Sequence, residues 1–205
     1  MGFCKKLIVA TTNSGKLREF IQLLEPLNIE VLSLKDFPEI GEIEETGATF
    51  IDNALLKARA VARITGYISL ADDSGLEVDY LGGLPGVNSA RFAGEPKDDS
   101  RNNLKLLSLM KGIPPIKRIG RFKCAIAIVG FDQTEYIAQG SCEGFILDEK
   151  RGDKGFGYDP LFYVPEYKKT FAELDMETKN KISHRGIAAE KALDILKRIF
   201  IDDRP

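Results

Sequence analysis

Two aspartates stand side by side at the end of an apolar run, in Tyr67-Ile-Ser-Leu-Ala71-Asp72-Asp73-Ser74-Gly75. On an extended chain neighbouring side chains point to opposite faces, so two adjacent acids face different surroundings and do different work. One can hold a divalent cation and the other can orient or deprotonate a water molecule. The same letters, DDSG, are also good turn chemistry, and the apolar strand is expected to end at Ala71. The ordered turns that Gly82-Gly83-Leu84-Pro85-Gly86 imply, with Ser89-Ala90-Arg91 just beyond, favour a site over a bare turn.

Three further clusters carry chemistry. Thr11-Thr12-Asn13-Ser14-Gly15-Lys16 follows a short apolar strand and opens a helix, which is the outline of a phosphate cradle. Backbone N–H groups and the helix dipole favour an anion there, and Lys16 adds a point charge. It is not a Walker A loop, because Ala10 stands where that motif needs glycine and Leu17 where it needs serine or threonine. An N-capped helix with a surface lysine is the plainer alternative. Glu44-Glu45-Thr46-Gly47 precedes the best helical pattern of the chain; its acids either favour the helix dipole or offer a carboxylate to Mg2+. Finally, Gly155-Phe156-Gly157-Tyr158-Asp159-Pro160 and Lys179-Asn-Lys-Ile-Ser183-His184-Arg185 combine a glycine-flanked aromatic with donors that suit base carbonyl oxygens. Together the clusters describe a phosphate grip, an acidic metal site and a base pocket, which is a nucleotide site.

The elements that must hold these residues read as α/β. A strand over 6–10, a helix over 16–24 and a strand over 29–34 make a β-α-β opening that favours a parallel pair. A helix over 47–63 carries Phe50, Ala54, Ala58, Val61 and Ala62 on one stripe, with Thr49 and Asp52 at capping-box spacing. A helix over 98–110 is expected to turn Leu104, Leu107 and Met110 to one side. Residues 121–129 and 135–147 read as a hairpin around Phe131-Asp-Gln-Thr, followed by a glycine-rich loop, a brief strand over 161–164 and a helix over 187–199. The expectation is one mixed-sheet α/β domain spanning 1–205.

Composition narrows the partners. The 205 residues are 43% hydrophobic and 29% charged, enough apolar surface for a packed core. A formal charge of −2 without a dense basic run argues against nucleic acid as a partner. No apolar run is of membrane-spanning length and the N-terminus lacks a signal-peptide core, so a cytoplasmic protein without membrane attachment is expected. Cys4, Cys124 and Cys142 have no zinc-site spacing, and with His184 as the sole histidine a catalytic Cys–His pair lacks a local signature. Cys124, inside an apolar run, reads as a small buried thiol.

The stretches TTNSGKLREF, EETGATFIDNALLKA, ADDSGLEVDYLGGLPGVNSARFAG, KRGDKGFGYDPLF and FAELDMETKNKISHRGIA run in one order over most of the chain. In these the chain resembles the inosine triphosphate pyrophosphatase (Ham1-like) family; Asn88 departs from the aromatic residue common before SAR. The resemblance implies hydrolysis of XTP, ITP and dITP to monophosphate and pyrophosphate, clearing deaminated purines from the nucleotide pool. It implies an elongated twisted sheet with flanking helices and two lobes around a nucleotide cleft, in a homodimer that uses Mg2+. Carried over by motif, Thr11, Thr12, Asn13, Ser14, Gly15 and Lys16 bind the triphosphate. Glu45 and Asp73 hold Mg2+, with Asp73 also the proton acceptor and Asp72 assisting. Ser74, Phe156, Gly157, Tyr158, Asp159, Lys179, His184 and Arg185 contact the substrate. The rival readings are a related pyrophosphatase for pyrimidine or modified nucleotides and a non-catalytic nucleotide binder.

Overall fold

The computed structural model describes residues 5–202, so Cys4 lies outside the described residues. Among these, seven strands form a mixed sheet: β1 (Lys6–Val9), β2 (Glu30–Ser33), β3 (Ile68–Val78), β4 (Ile119–Val129), β5 (Glu135–Ile146), β6 (Phe162–Val164) and β7 (Lys169–Thr170), in the order β2-β1-β3-β4-β5-β6-β7. β1 runs parallel to β2 and β3, whereas β6 runs antiparallel to β5 and β7. The helices are α1 (Ser14–Leu24), α2 (Phe50–Thr65), α3 (Asp99–Leu109), α4 (Met176–Ile182) and α5 (His184–Lys197). No helix among the described residues is long and apolar enough to cross a membrane.

The chain divides into two compact units. Unit 1 takes 1–73, 124–140 and 185–205, and its core joins Leu7 and Val9 of β1, Phe20 and Leu24 of α1, Ile68 and Leu70 of β3, and Ala188, Ala192 and Leu196 of α5. The β1-α1-β2 opening belongs here, as the apolar spacing required. α2 starts with the anticipated capping box: Thr49 Oγ1 accepts from the Asp52 N–H at 3.1 Å while Asp52 Oδ2 accepts from the Thr49 N–H at 3.1 Å. Cys124 is buried in this core and burial pushes its thiol up to about 12, which rules out a ready thiolate.

Unit 2 takes 74–123 and 141–184 and is built on aromatic rings. Phe122 meets Phe162 edge-on at 4.7 Å between centroids, and Phe162 lies 4.8 Å from Phe171. Gly144 is required beside them: a Cβ there would fall 2.4 Å from the Tyr163 carbonyl oxygen and 2.8 Å from the Phe162 ring.

Three sequence expectations change. Asp72-Asp73-Ser74-Gly75 is not a turn but the middle of β3, which sits between β1 and β4 and continues to Val78. Turn propensity is overridden because the ladder holds the backbone, Lys16 and Arg185 meet Asp72, and the Asn53 amide meets Asp73. Leu104 of α3 is exposed; the buried face is Asn102, Asn103, Leu106 and Met110, because the two asparagines spend their amides on neighbouring loops. α4 and β7 were not anticipated, since METKNKI has no apolar period and a two-residue strand has none to show.

Because Phe162 is fully buried among rings, Phe162→Ala should cost about 3–5 kcal/mol. Urea unfolding followed by tyrosine fluorescence checks this, with a fall in midpoint expected.

Candidate active site

Unit 1 gathers most of the predicted phosphate and metal residues. Asn13 caps α1, its Oδ1 accepting from the N–H groups of Gly15 at 2.8 Å and Lys16 at 3.1 Å. Two of the backbone donors expected to cradle an anion are therefore taken by the cap. Of the hydroxyls in the turn, those of Thr12 and Ser14 are on exposed residues, while Thr11 is half-buried with its Oγ1 accepting from the Asn13 N–H. Lys16 is not a surface lysine. Its ammonium lies 2.9 Å from Asp72 Oδ2, and its side chain is 14% exposed.

The two aspartates divide as strand alternation requires. Asp72, buried, faces Lys16 and also Arg185, whose Nε lies 3.5 Å from Oδ2. Arg185 is itself buried and its Nη1 donates to Glu19 of α1, giving a run of alternating charge, Glu19–Arg185–Asp72–Lys16. Asp73 meets α2 instead: its Oδ2 accepts from Asn53 Nδ2 at 2.9 Å. Asn53 Oδ1 in turn accepts from the Gly47 N–H at 2.7 Å, and a Cβ on Gly47 would strike that oxygen. The Glu44–Gly47 segment is thereby pinned to α2. Lys57, one turn after Asn53, pairs with Glu45 and donates to the Asp72 carbonyl at 2.7 Å. Glu44 is exposed and Glu45 half-buried, which separates the two acids the sequence left together.

The charges set opposite acidities on neighbouring residues. Burial would raise the Asp72 carboxyl, but Lys16, Arg185 and Lys57 outweigh it and hold the group well below the usual carboxylate range. For Asp73 burial wins, with the charge of Glu45 adding to it, against the opposing pull of Lys16, Lys57 and Asn53; its carboxyl is raised. Burial lowers Lys57, yet Asp72, Glu45 and Asp73 together raise it.

Among the described residues no three acidic, histidine or cysteine side chains are grouped to cage a metal ion. Asn53 of α2 holds Asp73, and Lys57, one turn further along the same helix, holds Glu45, so α2 positions both carboxylates. That donor set fits Mg2+, which takes one or two carboxylates and completes its octahedron with water and phosphate oxygens.

Unit 2 holds the residues expected to face a base, except Arg185, which belongs to unit 1. The Gly155–Asp159 loop folds on its own aspartate: Asp159 Oδ2 accepts from the Phe156 N–H at 2.9 Å and from Lys179 Nζ at 2.7 Å, a buried pair. That oxygen occupies the place of a side chain on Gly155, where a Cβ would lie 2.0 Å from it. Lys179 Nζ also sits 5.0 Å from the centroid of the half-buried Phe156 ring. Tyr158 turns inward, its hydroxyl donating to the Ser89 carbonyl at 2.8 Å. His184 is buried and stacked on Phe122, 4.6 Å between centroids with planes 10° apart. Ser74 is half-buried in β3. His184 and Arg185, read together as base donors, part company here: His184 packs among rings while Arg185 serves Glu19 and Asp72.

Glu19, Asn53 and Lys57 were missed. For the last two a signal existed, since polar residues spaced by four on the otherwise apolar face of α2 need buried partners. Glu19 had no such signal; its partner, Arg185, is remote in sequence.

The model of the Ham1 family matches residues 7–195. The chain belongs to the Ham1 family. It is 60% identical over 196 residues to a protein of Desulforamulus reducens named dITP/XTP pyrophosphatase, covering 96% of this chain and 98% of that one. A Bacillus cereus protein of the same name is 53% identical over 201 residues, 97% and 98% of the two chains. Among solved structures, the Ham1 protein of Staphylococcus aureus superposes with a TM-score of 0.84 at 40% identity, covering 94% of this chain and 98% of its own.

The two aspartates of this Ham1 chain should respond oppositely to neutralisation. Asp72, acidified in the fold, contributes stability that is present at neutral pH and lost as pH falls below the ordinary carboxylate range. Asp73, raised, binds its proton more tightly folded than unfolded, so its contribution declines as pH rises through the window above that range. At pH 7 with chelator present, Asp72→Asn should lower stability by about 3–5 kcal/mol by stranding Lys16 and Arg185. Asp73→Asn should raise it. Urea midpoints of the two variants test the contrast.

Proposed function

We propose that this chain is a nucleoside-triphosphate pyrophosphatase that hydrolyses XTP, ITP and dITP to the monophosphate and pyrophosphate. Relatives of the same length and more than half identical in sequence carry the name dITP/XTP pyrophosphatase, which supports the substrate class. The observation that carries the chemistry is the split between Asp72 and Asp73, one locked against Lys16 and Arg185 and the other buried and held by the Asn53 amide.

Lys16 and the hydroxyls of Thr11, Thr12 and Ser14 receive the triphosphate at the start of α1, with Asn13 and Gly15 shaping that turn. Glu45 and Asp73 hold Mg2+, which when bound neutralises phosphate charge and favours attack on phosphorus. Asp73 is also the proton acceptor for the attacking water, a role that its burial against the Asn53 amide leaves open. Asp72 stays ionised, assists by positioning Lys16, and is itself positioned by Arg185. Arg185 therefore serves substrate through Asp72. Asn53 orients Asp73, and Lys57 orients Glu45.

The Phe156–Asp159 loop, Lys179, His184 and Ser74 take the nucleoside. Hypoxanthine and xanthine offer an acceptor at O6, where adenine offers a donor. A donor placed for O6 is left unpaired by adenine, which is costly in a buried site. In this reading residues 1–205 act as one working domain, in a cytoplasmic homodimer that clears deaminated purines from the nucleotide pool, on the strength of the family resemblance.

The purified chain incubated with Mg2+ and XTP, ITP, dITP, ATP, GTP or TTP tests the reading by product. Pyrophosphate from the deaminated purines and little from ATP or GTP is expected. Pyrophosphate chiefly from TTP would transfer the chain to pyrimidine nucleotides, and no turnover would leave a binder. In the same assay Asp73→Asn should lose about 10²- to 10⁴-fold in kcat, the range for a general base.

A further inference from the structure

The first two turns of α3 belong to none of the motifs assigned to substrate, yet they grip the loop that carries Phe156. We propose that Asp99 and Asn103 are positioning residues that clamp both peptide groups of Gly157 and thereby set discrimination between purine bases; this rests on the nucleotide reading of the Phe156–Asp159 loop. The Gly157 N–H donates to Asp99 Oδ2 at 2.7 Å, and the Gly157 carbonyl accepts from Asn103 Nδ2 at 2.8 Å. The same Asn103 amide donates to the Asp99 carbonyl at 2.7 Å.

Three features single this out from ordinary loop packing. Gly157 has φ +60°, a region where glycine has little preference of its own, so partners on both sides of the residue are what select one conformation. Asn103 is buried and faces two carbonyl oxygens, which admits only its NH2 group in that direction. Its Oδ1 has no hydrogen-bond partner among the described residues, a cost that an apolar side chain would avoid. The amide is thus unfavourable for packing alone and is present for its two donors.

Asn102 repeats the arrangement on a second loop, Oδ1 accepting from the Ala93 N–H at 2.7 Å and Nδ2 donating to the Ala90 carbonyl at 2.9 Å. Tyr158, next to Gly157, bonds to Ser89 in that loop. From the other side Asp159 is held by Lys179 and the Phe156 N–H. Four consecutive residues, 156–159, are each tethered, and the tether at Gly157 alone comes from α3 side chains outside the motifs. Release of that tether lets Phe156 shift, and a shifted wall no longer penalises a base whose hydrogen-bonding edge is wrong.

The test compares wild type with Asp99→Ala, Asp99→Asn and Asn103→Ala, measuring kcat and KM for ITP and ATP alongside hydrogen exchange at the Gly157 amide. Asp99→Ala and Asn103→Ala should each raise KM for ITP about five- to tenfold and lower the ITP:ATP ratio of kcat/KM by a similar factor, the worth of one hydrogen bond. The kcat for ITP should stay within about twofold, since neither residue touches phosphate. Asp99→Asn retains an acceptor for the Gly157 N–H and should restore both the ratio and the exchange protection that Asp99→Ala loses. A merely structural role would lower kcat for both nucleotides and leave the ratio untouched, which overturns the proposal; so would unchanged kinetics in Asp99→Ala, whose exposed side chain makes misfolding no explanation. If wild type hydrolyses neither nucleotide, the pyrophosphatase reading fails separately and the same ratio is taken from dissociation constants. There, an unaltered ITP:ATP preference in Asp99→Ala, or no binding of either by wild type, overturns the clamp as well.

Discussion

A carboxylate with almost no contact with water organises unit 1. Asp72 lies in the middle of a sheet strand, where an isolated charge would be intolerable, and it is kept ionised by Lys16 from α1 and Arg185 from α5. Each partner has obligations of its own. Lys16 cannot reach Asp72 unless α1 begins at Ser14, which the Asn13 cap ensures. Arg185 cannot be buried without Glu19, two residues beyond Leu17 on the same helix. The position of α1 against β3 is thus dictated by charge compensation as much as by the apolar contacts of Phe20 and Leu24.

The neighbouring carboxylate shows the other outcome of burial. Asp73 receives an amide from Asn53 where Asp72 receives cations, and the charge of Glu45 works against it. A site intended for stability would not place two acids together in this way. The pyrophosphatase reading proposed above asks for such a pair, and the loss of stability is local and tolerable. Lys57 offsets part of the excess negative charge while holding Glu45 and the Asp72 backbone.

Unit 2 solves a different problem, which is holding a glycine-rich loop in one shape. Its core packs the rings of Phe122, Phe162, Phe171 and His184 together, and the loop is fastened by Asp159, Tyr158 and the asparagines of α3. Glycine allows the conformation at 155 and 157 but does not choose it; side chains from α3 and α4 do.

The sequence alone determined the α/β class, the β-α-β opening, the capped start of α2, the buried thiol of Cys124 and the residue types of a nucleotide site. These rest on local periods, caps and contiguous motifs, whose physics is contained within a few residues. Alternation along a strand even foretold that Asp72 and Asp73 would have unlike surroundings. Only tertiary structure decided that DDSG is strand, because ladder hydrogen bonds and remote cations override turn propensity. Only it separated Glu45 from Glu44, turned Tyr158 into the core, paired Arg185 with Glu19 across 166 positions of chain, and brought α3 to Gly157. Those outcomes depend on which buried charge or peptide group finds which partner, and a buried polar group's partner is set by distance in space, which no local pattern encodes.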